Sequence, residues 1–281
     1  MPPAVYDAVV IGAGIAGLST GAELAKTRSV LVIDVQPAHA TQSSARSASS
    51  WIPRYGADAV GPLTLASRGW FESGGDGFVD RSLLASRSTV VITRDPFSAG
   101  LQAAIESGMR PIDAAAAREH CPPLREGVVA AAALDERSAD IDTPVAIQAL
   151  LTHLESAGSA LQLDTATHAI ERLDGAWRLR TSRGVIATPL IVDAAGAWGD
   201  EVARIAGVPP VGLRAFRRTA CLVSPRTDRK LSALPLLMEA DEAFYVKPES
   251  GALLASPADE TEQPPGPAEP EEADVEAAVA Q

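Results

Sequence analysis

Val5–Ile11 (VYDAVVI) runs directly into Gly12-Ala13-Gly14-Ile15-Ala16-Gly17, and after a short interval Ser29–Ile33 (SVLVI) stops at Asp34. The first run is β-rich and apolar throughout, as expected of a parallel strand buried on both faces. Leu18–Lys26 places apolar residues at helical spacing, and Ser29–Ile33 reads as a second buried strand. In such a strand–turn–helix–strand unit Gly12 permits the tight turn. Gly14 lets the backbone approach a pyrophosphate, and Gly17 allows close packing of helix on strand. The helix N-terminus offers unpaired N–H groups and a positive dipole end to phosphate, near Ala16. Asp34, with Val35 beside it, stands where a carboxylate accepts hydrogen bonds from a ribose diol. A glycine run alone is weak evidence, but with both strands, the helix and the acid in place it points to a bound dinucleotide. The competing reading is a glycine turn packed for its own sake.

The remainder of the chain bounds the class of protein. Its 281 residues are 46% hydrophobic, 21% charged and 4% aromatic, enough for a sizeable core and for two domains. The formal net charge of -12 argues against a nucleic-acid partner, since phosphate backbones need a basic face. From Glu249 onward there are nine acids and no base, which leaves the first 248 residues with 24 basic and 27 acidic residues. Most of the acidity therefore belongs to the end of the sequence. Cys121 and Cys221 are far apart, and His39, His120, His153 and His168 are scattered, so no metal site is expected. Ala8–Ala22, a charge-free run, falls short of the ~20 residues needed for a membrane span. With no basic leader before Tyr6, a cytoplasmic location is expected.

Further along, Thr41–Ser50 (TQSSARSASS) is a small polar run. Its composition fits a linker or a cofactor-wrapping loop equally well. Asp113–His120 is expected to be a short helix, and Thr143-Pro144 an N-cap and first turn for a helix over Pro144–Ala157. Thr167–Leu173 and Trp177–Thr181, joined through Asp174-Gly175, read as a hairpin. Val185–Val192 reads as one apolar strand leading to Asp193-Ala194-Ala195-Gly196-Ala197-Trp198, and Asp200–Ala206 as a short helix closed by Gly207. Pro257–Gln281 is rich in Pro, Ala and acid, and is expected to be poorly anchored.

Taken in order, the blocks VVIGAGIAGLSTGAELA, VLVID, SSARSASSWIPRYG, LDERSADIDT, LDGAW, IVDAAGAWGDEVARIAGV, FRRTA and EAFYVKPESGALLASPAD resemble the D-amino-acid oxidase superfamily of FAD-dependent amine oxidoreductases, nearest its D-arginine dehydrogenases. The resemblance implies an α/β fold. A Rossmann-like FAD-binding domain would be interleaved with an antiparallel-sheet substrate domain. The FAD domain would comprise 1–75 and 140–207 and the substrate domain 76–139 and 208–256, followed by the loosely held acidic end, 257–281. It implies FAD as cofactor, with contacts from Gly12, Gly14, Ala16, Gly17, Asp34 and Val35. The Ser-rich run becomes the flavin-wrapping loop, bringing in Ser44, Arg46, Ser47, Ala48 and Ser49. Thr167 would meet the adenine, with Ala195 and Gly196 on the same side.

For the substrate, a small-molecule D-amino acid or related amine, the resemblance implies Tyr55 and Tyr245 facing the amino acid and one of Arg217 and Arg218 at its carboxylate. Tyr245 is equally compatible with a strand core, and the Arg pair with a solvated edge. The implied reaction is hydride transfer from the substrate Cα to flavin N5, with no dedicated side-chain base. Ser50 stands where D-arginine dehydrogenases have an active-site His, and Thr89 where they have the acid that pairs with a cationic side chain. Neutral D-amino acids are therefore expected to be preferred. Relatives also continue past this chain's end, with a last strand, a second carboxylate-binding Arg and a glycine-rich loop. On that comparison the chain is truncated, and weak FAD binding and slow turnover are expected. The alternatives are a glycine or sarcosine oxidase-like enzyme, a glycerol-3-phosphate dehydrogenase-like enzyme, or an inactive flavin-binding remnant needing a complementing chain.

Overall fold

Asp7 and Ser29 tie the starts of the first two buried strands together. Both the N–H and the hydroxyl of Ser29 donate to the Asp7 carboxylate at 2.8 Å, and this holds the carboxyl below the ordinary aspartate range. The computed structural model describes residues 3–53, 55, 57–228 and 230–280. These form two compact units: Met1–Ser47, Ser73–Leu83 and Asp142–Ala215 make unit 1, and Ala48–Glu72, Leu84–Ile141 and Phe216–Gln281 make unit 2.

In unit 1 the expected first strand is two strands, β1 (Ala4–Val5) and β2 (Ala8–Ile11), followed by α1 (Ile15–Ala25) and β3 (Val30–Ile33). The two belong to different sheets, because Tyr6 donates to Ala187 while Ala8 turns to Ser29. Later in the chain come α6 (Thr143–Ser156), β10 (Ala160–Gln162), β11 (Thr167–Leu173), β12 (Ala176–Thr181), β13 (Gly184–Thr188), β14 (Ile191–Asp193) and α7 (Gly199–Ile205). A parallel sheet runs β10-β3-β2-β14 and a second sheet β1-β13-β12-β11. Val9, Ile11, Leu31 and Ile33 pack on Ile170, Leu179 and Ile186 of the second sheet. Alternate residues face the helices, and Gly21 of α1 lets Val32 and Leu154 close in. Both faces of the parallel sheet are thus covered, which is why its central strands read as uninterrupted apolar runs.

Two local expectations are corrected here. Val185–Val192 is not one strand: β13 pairs with β12 and β14 with β2, and the break falls at Pro189, which has no N–H to continue a ladder. The α6 N-cap is Asp142 rather than Thr143, its carboxylate accepting from the Val145 N–H at 3.3 Å. The hairpin turn takes the expected form, with Asp174 and Gly175 both at positive φ (53° and 83°).

Unit 2 holds β4 (Ser50–Trp51), α2 (Ala57–Glu72), β5 (Leu84–Ser86), β6 (Thr89–Thr93), α4 (Ala99–Glu106), β7 (Arg110–Ile112), α5 (Ala114–His120), β8 (Ala131–Asp135) and β9 (Ala139–Ile141). The single turn α3 (Gly74–Gly77) lies in unit 1. After residue 215 come β15 (Phe216–Arg217), β16 (Cys221–Val223), β17 (Leu236–Glu239), β18 (Tyr245–Glu249), β19 (Ala252–Ser256), β20 (Thr261–Glu262) and α8 (Glu272–Ala280). The main sheet runs β16-β19-β18-β17-β6-β8-β7 and is antiparallel except for the β17–β6 pair. Val90, Ile92, Ala132 and Leu134 bury one face with Ala117 of α5, while Val91 and Ala133 pack with Leu101 of α4 on the other.

The crossings between units differ in place from the expected 1–75, 76–139, 140–207 and 208–256. Residues 48–72 join unit 2 because Ser50 and Trp51 pair with Asp140 and Ala139 of β9. Residues 73–83 join unit 1, where Arg81 pairs with Asp142 and the Leu83 carbonyl accepts from the Asp142 N–H. Residues 208–215 also join unit 1, because the buried Asp200 carboxylate accepts N–H bonds from Val211, Gly212 and Leu213. The acidic end, expected to be loose, is instead built into unit 2: β20 pairs with β15, Ala278 is buried, and Arg217 holds Glu271 and Asp274.

Candidate FAD site and substrate residues

The three glycines of the first turn have three separate reasons to be glycine. Gly12 has φ +111°, and a Cβ there would lie 2.3 Å from the Ala194 carbonyl oxygen. A Cβ on Gly17 would lie 1.8 Å from the carbonyl oxygen of Gly12. Both positions are closed by the protein itself. Gly14 is different: its backbone is extended (φ -77°), and an added Cβ would meet only the Ser44 hydroxyl, at 3.2 Å. Only the Ser44 hydroxyl would have to give by a few tenths of an ångström to admit a side chain there, so the chain's own backbone does not close this position.

The groups around Gly14 suit an anion. It is the N-cap of α1, with no side-chain cap and no acid in the first turn. Among the described residues the N–H groups of Gly14, Ala16 and Gly17 have no protein acceptor, whereas Ile15 donates to Ser44 Oγ at 2.9 Å. Unpaired N–H groups at a helix start, unobstructed by side chains, form a phosphate cradle. Asp34 at the end of β3 accepts from Ala13 N–H at 2.6 Å and Gln36 N–H at 2.8 Å. It therefore braces the glycine turn, and its carboxylate has lone pairs to spare for a diol. Val35 beside it is 61% exposed.

The other expected cofactor contacts are distributed as follows. Ser44 and Arg46 lie in the short helical turn Ser43–Arg46, with Arg46 and Ser47 exposed. Ala48 and Ser49 lead into β4, Ser49 at φ +51°. Thr167 opens β11 with its hydroxyl buried and without a protein partner, an unmet polar atom on the expected adenine side. Ala195 donates to Asp193, and Gly196 has φ +59° with open space where a Cβ would project. Partial desolvation raises the Asp193 carboxyl above the ordinary aspartate range although the residue is exposed at the end of β14; the Ala195 N–H opposes this and the Asp200 charge adds to it.

The expected substrate residues all fall in unit 2. Tyr55 is 64% exposed and Tyr245 half-buried on β18 opposite Met238 and Ser256. The two arginines have diverged. Arg217 is buried and its guanidinium is taken by the chain's own Glu271 at 2.5 Å and Asp274 at 2.6 Å, with Asp259 at 3.9 Å. Those donors hold the acidic end. Arg218 is 43% exposed in its side chain and pairs with the exposed Glu260. Sequence reasoning missed Lys247, fully buried on β18, although a lysine inside an apolar strand pattern (FYVKP) was a usable signal.

A glycine-turned helix start beyond the carboxyl end of a parallel strand, braced by an acid at the end of the next strand, defines a dinucleotide-binding protein. Residues 7–281 match the family model of FAD dependent oxidoreductases, and the chain belongs to that family. Its cofactor is FAD. Solved structures share the fold. L-proline dehydrogenase from P. horikoshii has a TM-score of 0.84 at 19% identity, over 99% of this chain and 76% of that one. Glycine oxidase from Geobacillus kaustophilus has a TM-score of 0.79 at 20% identity, over 99% and 77%. The FAD-bound L-alpha-glycerophosphate oxidase from Mycoplasma pneumoniae has a TM-score of 0.80 at 17% identity, over 91% and 71%.

Proposed function

We propose that the chain oxidises the α-amine of a D-amino acid, preferring neutral or apolar side chains, and releases an imino acid that hydrolyses in water. The reading rests on the resemblance to D-arginine dehydrogenases in the wrapping loop and the FYVKPESGALLASPAD block. FAD, when bound, supplies the two-electron acceptor for the hydride of the substrate Cα. The phosphates would lie on the Gly14, Ala16 and Gly17 amides, with the ribose on Asp34. Arg218 holds the substrate carboxylate, and the Tyr55 and Tyr245 phenols border the amine. The amine loses its proton to water, so orientation rather than a side-chain base is the protein's contribution.

The observation that carries the substrate class is the exposed guanidinium of Arg218, paired among the described residues only with the exposed Glu260, beside a buried Arg217 whose two terminal nitrogens are taken by Glu271 and Asp274. An amino-acid substrate needs a cation that the protein has not already neutralised with buried acids. For side-chain preference the relevant position is Thr89, 2% exposed and without a charge to offer a cation. The two free cysteines fit a reducing compartment, and the cytoplasm is the proposed location.

A panel of D-Leu, D-Arg, L-Leu and glycine, assayed with the FAD-loaded protein and an artificial electron acceptor, tests this. D-Leu is expected to give the highest kcat/KM; a strong preference for D-Arg, L-Leu or glycine would overturn the substrate assignment.

A further inference from the structure

Lys247 is 1% exposed in the interior of β18, an expensive place for an ammonium unless its protons are met. They are met three ways within unit 2. Nζ donates to the Ala48 carbonyl at 2.6 Å, and lies 2.9 Å from Asp140 Oδ1 and 3.4 Å from Glu249 Oε2. The Asp140 contact is Coulombic rather than a well-directed hydrogen bond, since Oδ1 has no aligned donor. The other Asp140 oxygen accepts from Arg87 Nε, and Arg87 is itself fastened to the Leu234 carbonyl. The ammonium is thus held from behind and presents one strong bond to one backbone carbonyl.

That carbonyl belongs to the proposed FAD-wrapping stretch. The next residue, Ser49, has φ +51°, and its own carbonyl accepts from Ile141 N–H at 2.7 Å. Two consecutive carbonyls are therefore gripped around a residue in the left-handed region, which a serine adopts uncommonly. None of the groups proposed for catalysis makes these contacts.

We infer that Lys247 is a positioning residue whose ammonium, clamped on the Ala48 carbonyl, sets the Ala48–Ser50 backbone and with it the part of the FAD-wrapping stretch that Ala48 and Ser49 supply. The inference rests on the reading of Ser44–Ser49 as a flavin-contacting stretch. Loss of one charge-assisted hydrogen bond corresponds to about tenfold in affinity.

The test compares wild type, Lys247→Met, Lys247→Arg, Arg46→Ala and Ser47→Ala. It measures FAD dissociation constants, the visible flavin band, and amide exchange across Ser49–Trp51 in the FAD-free protein. Lys247→Met is expected to raise the FAD dissociation constant about tenfold, shift the flavin band and speed exchange at Ser49–Trp51. Lys247→Arg, which keeps the cation on a bulkier planar head, is expected to fall between wild type and Lys247→Met. Wild-type binding, band and exchange in Lys247→Met, while Arg46→Ala or Ser47→Ala weakens FAD, would overturn the role of Lys247 and leave the wrapping stretch standing. Wild-type binding in all four variants would overturn the wrapping reading itself. Should Lys247→Met fail to fold, Lys247→Arg decides, and wild-type values in that variant would overturn the proposal.

Discussion

The Gly12 carbonyl oxygen faces the Gly17 Cα so closely that a Cβ added at Gly17 would stand 1.8 Å from it. The obstacle is backbone, so no rotamer change can relieve it. Gly17→Ala is expected to cost about 1–3 kcal/mol or more, as overpacking does, and to lower the melting temperature. An unchanged melt would show that α1 can slide away from the glycine turn freely.

Arg217 is the fastening of the acidic end. Hydrogen bonding to Glu271, with the Asp274 and Asp259 charges adding, raises its pKa above the ordinary arginine value. Arg217→Met would leave Glu271 and Asp274 facing each other without a cation. The variant is expected to expose α8 to limited proteolysis and to melt earlier than wild type. Wild-type resistance at α8 would show that the apolar contact of Ala278 suffices.

Asp193 gives a pH dependence with a definite sign. Its folded-state pKa lies above its ordinary value, so the folded chain binds this proton more tightly than the unfolded chain. Ionising it costs stability as pH rises from the ordinary aspartate range through the folded pKa, and the full cost is present above that. Asp193→Asn keeps an acceptor for the Ala195 N–H and removes the charge. The variant is expected to be the more stable protein at neutral pH, with the difference closing as pH falls below the ordinary aspartate range. Thermal melts across that window check it; a gap that widens toward acid contradicts it.

Cys121 and Cys221 are expected to differ toward a thiol reagent at neutral pH. Burial pushes the Cys121 thiol up to about 11, so little thiolate is present and the sulfur is covered. Cys221 is only half-buried at the start of β16. One fast and one slow thiol are expected in the native protein, with mass mapping placing the fast one at Cys221.

The nucleotide half of the molecule was legible because its signals are local. A buried strand, a glycine turn, a helix and an acid fall within one short stretch, and each glycine has its own steric or ligand reason. The Asp174-Gly175 hairpin was legible for the same cause. What local pattern could not show was how distant groups answer each other. Arg217 and Arg218 stayed equivalent candidates in the sequence because Glu271 and Asp274, far along the chain, carry no mark of their target. The same hidden pairing made the acidic end look unanchored. Pro189 was visible in the sequence, but the apolar residues on both sides masked the change of sheet. Lys247 could be seen as odd in its strand, yet its partners Ala48 and Asp140 emerge only once β4, β9 and β18 are assembled.

Titration of the FAD-free protein with FAD, for wild type beside Gly14→Ala, tests the cofactor cradle most directly, with a thermal melt of each protein as control. Because a Cβ at Gly14 meets only the Ser44 hydroxyl, at 3.2 Å, the variant is expected to fold and to melt at most slightly below wild type. Its FAD affinity is expected to fall at least about tenfold as the methyl blocks the approach of the phosphates. Equal FAD affinity in the two proteins, with both fully folded, would contradict the assignment of FAD to the N-terminus of α1.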